Sequence, residues 1–488
     1  MMKIVKHKLF SCIVIVMIPM ILIILTAAVS SGCGIITSSS DSDADEGLTF
    51  ATREDYERND VYINDLNNTS NTDNTDAVDI VATTNTDDNA DNANTKINPE
   101  STTVAETAKP VETETEIETE AETESPPAPP QVVKVSFLAA GDNIMHMNMI
   151  DDAKQRAGEG ANFNFKDMYT DIAPIVQAYD IALINIETPI AGDEFEYSGY
   201  PMFNTPKENA FDLMDMGFNI INTANNHMLD KWEKGYKNSI EFWDSHKNYK
   251  GGNILQLGSF KDAADFETPR IYNMNGISIA FLSYTYGTNG MALPAGSKMV
   301  IPFLQDTAMI ERQIKAARPL ADCLFVVMHW GEEDHFTPSA SQKNLAQMMV
   351  DNGVDVIIGM HPHVLQETKW VDRPDGGKTL ITYSIGNLIS GMLYKQNMIG
   401  SFLGFDIIKT TQNGESSISI ENAKMIPTVT HYNMDRMRFQ IYNFENYTEE
   451  LAKQHGCIKF SSDFSYKYLK DLIITNIAPE FLSDFYKS

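Results

Sequence analysis

Cysteine, basic charge and long apolar runs are all scarce in this sequence, and each shortage removes a class of protein. Four cysteines stand in 488 residues, without the spacing of a disulfide framework or a zinc ribbon. Cys323 and Cys457 read as buried thiols, and Cys12 falls inside an apolar run, which leaves Cys33 to be weighed. Lys and Arg number 37 against 67 Asp and Glu, a net charge of −30. That balance argues against a nucleic-acid binder, which shows a basic patch or stripe. About two thirds of the charge lies between residues 34 and 131, so it describes a tail and says little about a catalytic surface.

The long apolar run, residues 9–29, follows Lys3, Lys6 and Lys8. A basic segment before an apolar one is the pattern of an export signal, and about 20 apolar residues are also enough to span a bilayer. Gly32-Cys33 resembles the end of a bacterial lipobox, although Ser30 stands where an aliphatic residue is usual. Two expectations stay open, a lipid-anchored Cys33 and an uncleaved anchor helix. Either places residues 1–33 as signal or anchor and everything after them on the extracellular face of the cell membrane. Residues 34–131 are rich in Asp, Glu, Thr, Asn and Ser and end in Pro126-Pro127-Ala128-Pro129-Pro130. Such a composition cannot bury enough apolar area to offset its ordering entropy, so a disordered, extended acidic stalk is expected.

From Val132 the pattern changes. Apolar runs at 133–138, 180–184, 218–222, 277–284, 324–328, 354–358 and 379–384 read as strands. Between them, 208–216, 236–245, 307–317 and 341–352 carry apolar residues at helical spacing, with Gly217 and Gly353 at helix ends. Alternating strands and helices predict an α/β domain over 132–440 with a largely buried sheet. Segments 405–408 and 417–420 read as antiparallel strands closing it, and 441–488 as a helical extension that packs on the core or meets a partner.

Polar residues recur where these strands end. They are Gly141-Asp142, Asn185-Ile186-Glu187, Asn225-Asn226-His227 with Asp230, His329-Trp330-Gly331-Glu332-Glu333, His361-Pro362-His363 and Ser384-Ile385-Gly386-Asn387. Open α/β sheets bind ligands beyond the carboxyl ends of their strands. Six of the ten histidines (146, 227, 329, 335, 361 and 363) lie there, whereas His246, His431 and His455 read as surface residues. Two histidines one residue apart after a strand place both imidazoles on one side, by period-two alternation, in reach of one metal. The plainer reading of His361 and His363 is a polar loop, and that of Asp142 a helix cap. The loop 293–298 is a candidate cover for the pocket, and Lys298, Lys207 and Arg270 are candidate contacts to an anionic substrate.

Together these six elements resemble the CapA family of poly-γ-glutamate capsule synthesis proteins, over about residues 133–430. The resemblance implies the metallo-dependent phosphatase-like fold, a four-layer α/β sandwich. It also implies two divalent ions of the manganese, iron or zinc class, held by Asp142, Glu187 as the bridge, Asn226, His329, His361 and His363. His227 would protonate the leaving group, oriented by Asp230. Two positions depart from the phosphoesterase pattern: Ile144 stands where it has histidine, and Glu187 replaces its bridging Asp. His146, two residues beyond Ile144, is the candidate substitute. The implied function is a surface-anchored part of poly-γ-glutamate synthesis or export beside membrane-embedded polyglutamate synthetase subunits. The alternatives are a metallophosphoesterase-type hydrolase of another cell-surface substrate and a binding module that kept only the fold.

Overall fold

The apolar runs form two sheets instead of one. A computed structural model describes residues 129–487, so the expected signal or anchor, Cys33 and most of the expected stalk lie outside the described residues. Strands β1 (Gln131–Asn143), β2 (Ile181–Ile186), β3 (Ile220–Asn222) and β4 (Leu255–Leu257) enter the first sheet. The second takes β5 (Arg270–Met274), β6 (Ile277–Thr285), β7 (Cys323–His329), β8 (Val356–Met360), β9 (Thr368–Asp372) and β10 (Lys378–Thr382). The chain then returns to the first with β11 (Asn387–Ile389), β12 (Ile399–Gln412), β13 (Glu415–His431) and β14 (Gln440–Asn443). Their orders are β14-β13-β12-β1-β2-β3-β4, with β11 beside β1, and β5-β6-β7-β8-β10-β9.

Alternation along the second sheet shows how the layers stack. Ile279, Phe281, Phe325, Val327, Val356 and Ile358 point into a core shared with the first sheet. The intervening Ala280, Leu282, Leu324, Val326 and Ile357 pack outward. Between the sheets Phe137 stacks on Phe405 at 5.0 Å and meets Phe325 edge-on at 5.2 Å, pairs worth about 0.5–1.5 kcal/mol each beyond their buried area. Helices cover both outer faces, which gives the four layers. On the first sheet lie α1 (Met147–Arg156), the short α2 (Ala173–Gln177), α3 (Lys207–Met216) and α4 (Trp232–Ser245), burying Met149, Val176, Leu213 and Trp243. After the single turn α5 (Ala263–Phe266), α6 (Thr307–Ala317) and α7 (Ala340–Asp351) cover the second through Ile310, Ile314, Leu345 and Met349.

Local chemistry sets the helix limits. A capping box pairs Ser339 with Gln342 at the start of α7, a device worth about 1 kcal/mol. Gly217 closes α3 at φ 123°. The helices α8 (Glu449–Gln454) and α9 (Tyr466–Asn476) follow β14 and bury Ala452, Leu469 and Ile473 in the main core. Among the described residues no helix is long and apolar enough to cross a membrane.

Candidate metal centre

β1 runs further than its apolar residues indicate and carries Asp142 into the site as a strand residue. Its register against β2 shifts between Ala140 and Asp142, then pairs Asp142 with Asn185. Gly141 permits this, because a Cβ there would lie 1.8 Å from the Gly386 carbonyl oxygen, whose residue accepts the Asp142 N–H. Asp142 therefore does not cap the following helix; His146 takes that position.

After β8 the chain does not continue as a strand. His361 has φ 95° and His363 φ 55°, left-handed conformations that cost about 1–3 kcal/mol each and collect at functional sites. Strand alternation is thus the wrong reason for the neighbouring imidazoles. A strained turn brings them together, their rings 5.7 Å apart, and it is braced by Pro362, whose carbonyl accepts the Asp334 N–H.

The carboxyl ends of both sheets meet here. Two groups of ligand-type atoms, each within 4.8 Å of one another, are Glu187 with His361 and His363, and Asp142 with Glu187 and His329. Glu187 belongs to both. His329 Nε2 and His363 Nε2 each lie 3.7 Å from Glu187 Oε1, and Asn226 Oδ1 lies 2.8 Å from His329 Nε2. The six proposed ligands are therefore brought together, all buried. Both Glu187 oxygens and His361 Nδ1 are buried without a hydrogen-bond partner, which costs several kcal/mol unless something else satisfies them. Carboxylate, amide and imidazole donors are a set that suits a divalent ion.

The electrostatics divide the ligand set. Burial and the Asp142 charge hold the Glu187 carboxyl well above its usual range, against the pull of His363. Burial lowers His363, but the Glu187 charge and the Asp142 hydrogen bond outweigh it and push it up to about 10. Burial, then neighbouring imidazoles, hold His329 and His361 well below the usual histidine range. Neutral imidazole is the form that binds metal, which favours His329 and His361, while Glu187 and His363 would release protons on binding.

His227 stands beside the cluster with Nδ1 2.8 Å from Asp230 Oδ2. The Phe203 N–H donates to the same oxygen at 2.7 Å, and the Phe203 ring packs edge-on against His227 at 4.7 Å. Asn289, in the loop after β6, contacts both Asn226 and His227. Sequence reasoning missed it because the end of that strand went unread. Asn387 holds His363 through Nδ1 at 3.0 Å.

Other expectations fail or fall away. His146 accepts the Gly391 N–H at 3.0 Å and enters neither ligand group. His335 is exposed and pairs with Glu332. His431 and His455 are buried, 8% and 0% exposed, their rings 4.8 Å apart; each has hydrogen-bond partners that offset the burial. Lys207 and Arg270 pair with Asp193 and Asp265. The loop 291–301 packs on Met228, Leu229 and Tyr236, next to His227.

Comparison with known proteins places these residues in a family context. Residues 136–392, which include every candidate ligand, match the family described as bacterial capsule synthesis protein PGA_cap. The PGA biosynthesis protein CapA of Bacillus subtilis is 30% identical over 262 residues, 53% of this chain and 63% of that protein. The capsule biosynthesis protein CapA of Bacillus anthracis is 29% identical over 229 residues, 46% and 53% of the two chains. The chain thus spans less than two thirds of the length of the relatives it matches. Among solved structures, the Haemophilus influenzae NAD nucleotidase superposes with a TM-score of 0.39 at 14% identity, covering 73% of this chain and 66% of that one.

Proposed function

The chain belongs to the PGA_cap family of bacterial capsule synthesis proteins, and from that premise we propose that it serves poly-γ-glutamate synthesis or export at the cell surface through a metal-dependent hydrolase-like site. The observation that carries the chemical part is Glu187, a buried carboxylate shared by two ligand groups with neither oxygen hydrogen-bonded. The tether in this reading is the N-terminal apolar run or a lipidated Cys33, and the partners are membrane-embedded polyglutamate synthetase subunits.

Asp142, Glu187, Asn226, His329, His361 and His363 would hold divalent metal, which when bound supplies Lewis acidity toward the scissile bond. The remaining chemistry belongs to the chain. Asp230 accepts from His227 Nδ1, which orients the ring so that, as the imidazolium, its Nε2–H can pass a proton to the leaving group. The Phe203 N–H keeps the Asp230 carboxylate in place, and the Phe203 ring limits rotation of the imidazole.

Elemental analysis of the purified full-length chain, beside an Asp142→Asn/His361→Ala double variant, tests this. Metal retained by the native chain and lost from the variant is the expected result. A native chain that holds none under metal-replete conditions would overturn the hydrolase-like site and leave a capsule-synthesis role without chemistry.

A further inference from the structure

Asn185, the penultimate residue of β2, has no exposed surface, and its amide is used at both ends. Nδ2 donates to Asp142 Oδ1 at 2.7 Å and lies 3.5 Å from His329 Nδ1. Oδ1 accepts from Asn222 Nδ2 at 2.9 Å. Asn222, at the end of β3, has its own oxygen occupied by the Ser283 hydroxyl of β6 at 2.5 Å, and its Nδ2 also reaches the Ala224 carbonyl at 3.3 Å.

This arrangement has a direction. Turning the Asn185 amide over would set its oxygen against the Asp142 carboxylate and its NH2 against the Asn222 donor, two repulsive contacts in a buried site. Turning Asn222 over as well would set its oxygen against the Ala224 carbonyl, another repulsive contact, whereas the Ser283 hydroxyl can rotate to accept as well as donate. The Asp142 carboxylate and the Ala224 carbonyl, which only accept, thereby fix both amides, and the Ser283 hydroxyl of the second sheet occupies the remaining Asn222 oxygen. Asp142 is held on its other side too, where Oδ2 lies 3.2 Å from the His361 N–H and 3.1 Å from His363 Nδ1.

We infer that Asn185 is a positioning residue for the metal centre: it presents Asp142 in its ligating orientation, with Asn222 locking its amide. The inference rests on the metal-binding reading above. Groups that orient metal ligands typically contribute 10–100-fold in metal affinity, and Asn185 touches ligands of one group directly.

Titration of full-length protein with Co²⁺ alone, followed by its visible absorption, tests the assignment, with the melting temperature of the metal-free protein as control. Asn185→Ala is expected to weaken Co²⁺ about 10–100-fold and to alter the band pattern. Asn222→Ser removes the amide that orients Asn185 and leaves Asn185 and the ligands in place, so it guards against a folding failure; a loss of Co²⁺ affinity smaller than that of Asn185→Ala is expected. If Asn185→Ala lowers the melting temperature but binds Co²⁺ with native affinity and spectrum, Asn185 is merely structural and the inference fails; native Co²⁺ binding by Asn222→Ser would exclude Asn222 as its lock. If the native chain takes up no Co²⁺ at all, the metal-binding reading itself fails, a result separate from the first.

Discussion

At the scale of single residues, the ligand set is asymmetric, and the asymmetry is testable. Glu187 belongs to both ligand groups, whereas His329 belongs to one and His361 with His363 to the other. Glu187→Gln keeps the shape of the side chain and removes its charge, so affinity for divalent metal is expected to fall on the order of 100-fold or more at both groups, since even outer-shell partners contribute 10–100-fold. His329→Ala removes only one group's imidazole and is expected to leave metal bound through Glu187, His361 and His363. Metal-to-protein ratios after dialysis distinguish them: a Glu187→Gln protein retaining as much metal as His329→Ala would refute the shared-ligand arrangement. The Ile144 departure fits the same picture, because Ile144 is 4% exposed and belongs to the buried apolar set, and His146 is tied to Gly391.

At the scale of elements, the segment after β14 docks through buried neutral histidines, which makes it acid-sensitive. Burial lowers His431 to about 4, and burial with the neighbouring His431 lowers His455 to about 3. Unfolding returns both toward about 6.5, so the unfolded chain binds more protons below that value. Stability is therefore complete above about pH 6.5 and is lost as pH falls toward 4, at up to roughly 1.4 kcal/mol per pH unit per histidine. Melting temperatures between pH 7 and 4.5 are expected to drop steeply in the native chain and less so in His455→Gln, which keeps a donor for the Thr430 carbonyl. Equal slopes would exclude the histidine pair as the cause. This pair also marks what a sequence does not display. His431 and His455 lie 24 positions apart in no periodic pattern, and only the docking of a distant segment buries them. The ligands were legible for the opposite reason, since each stands where an apolar strand ends. The short strands β4, β9 and β11 have three to five residues and no period to read. The division into two sheets is decided by pairing between strands, not within them, and came only through the resemblance. Helix α1 escaped because its N-cap His146 makes no side-chain cap and its first turn carries no acid.

At the scale of the whole molecule, β1 connects two remote places. It starts at Gln131 opposite Thr411 and ends in the centre at Asp142 and Asn143. Thirteen strand residues span about 40 Å at ~3.3 Å each, so the backbone enters the sheet far from the metal groups. Every candidate ligand, the His227–Asp230 pair and the Asn185 relay come from residues 142–387, held between two sheets that share a core. Binding of metal should therefore be independent of the N-terminal region, whatever that region does in tethering. Deleting residues 34–128 from the full-length chain is expected to leave metal content and the melting temperature of the metal-bound form unchanged, while any membrane association follows residues 1–33. Loss of metal from the deletion variant would mean that the acidic segment itself completes the centre, and the proposed division between a tether and a self-contained metal site would have to be abandoned.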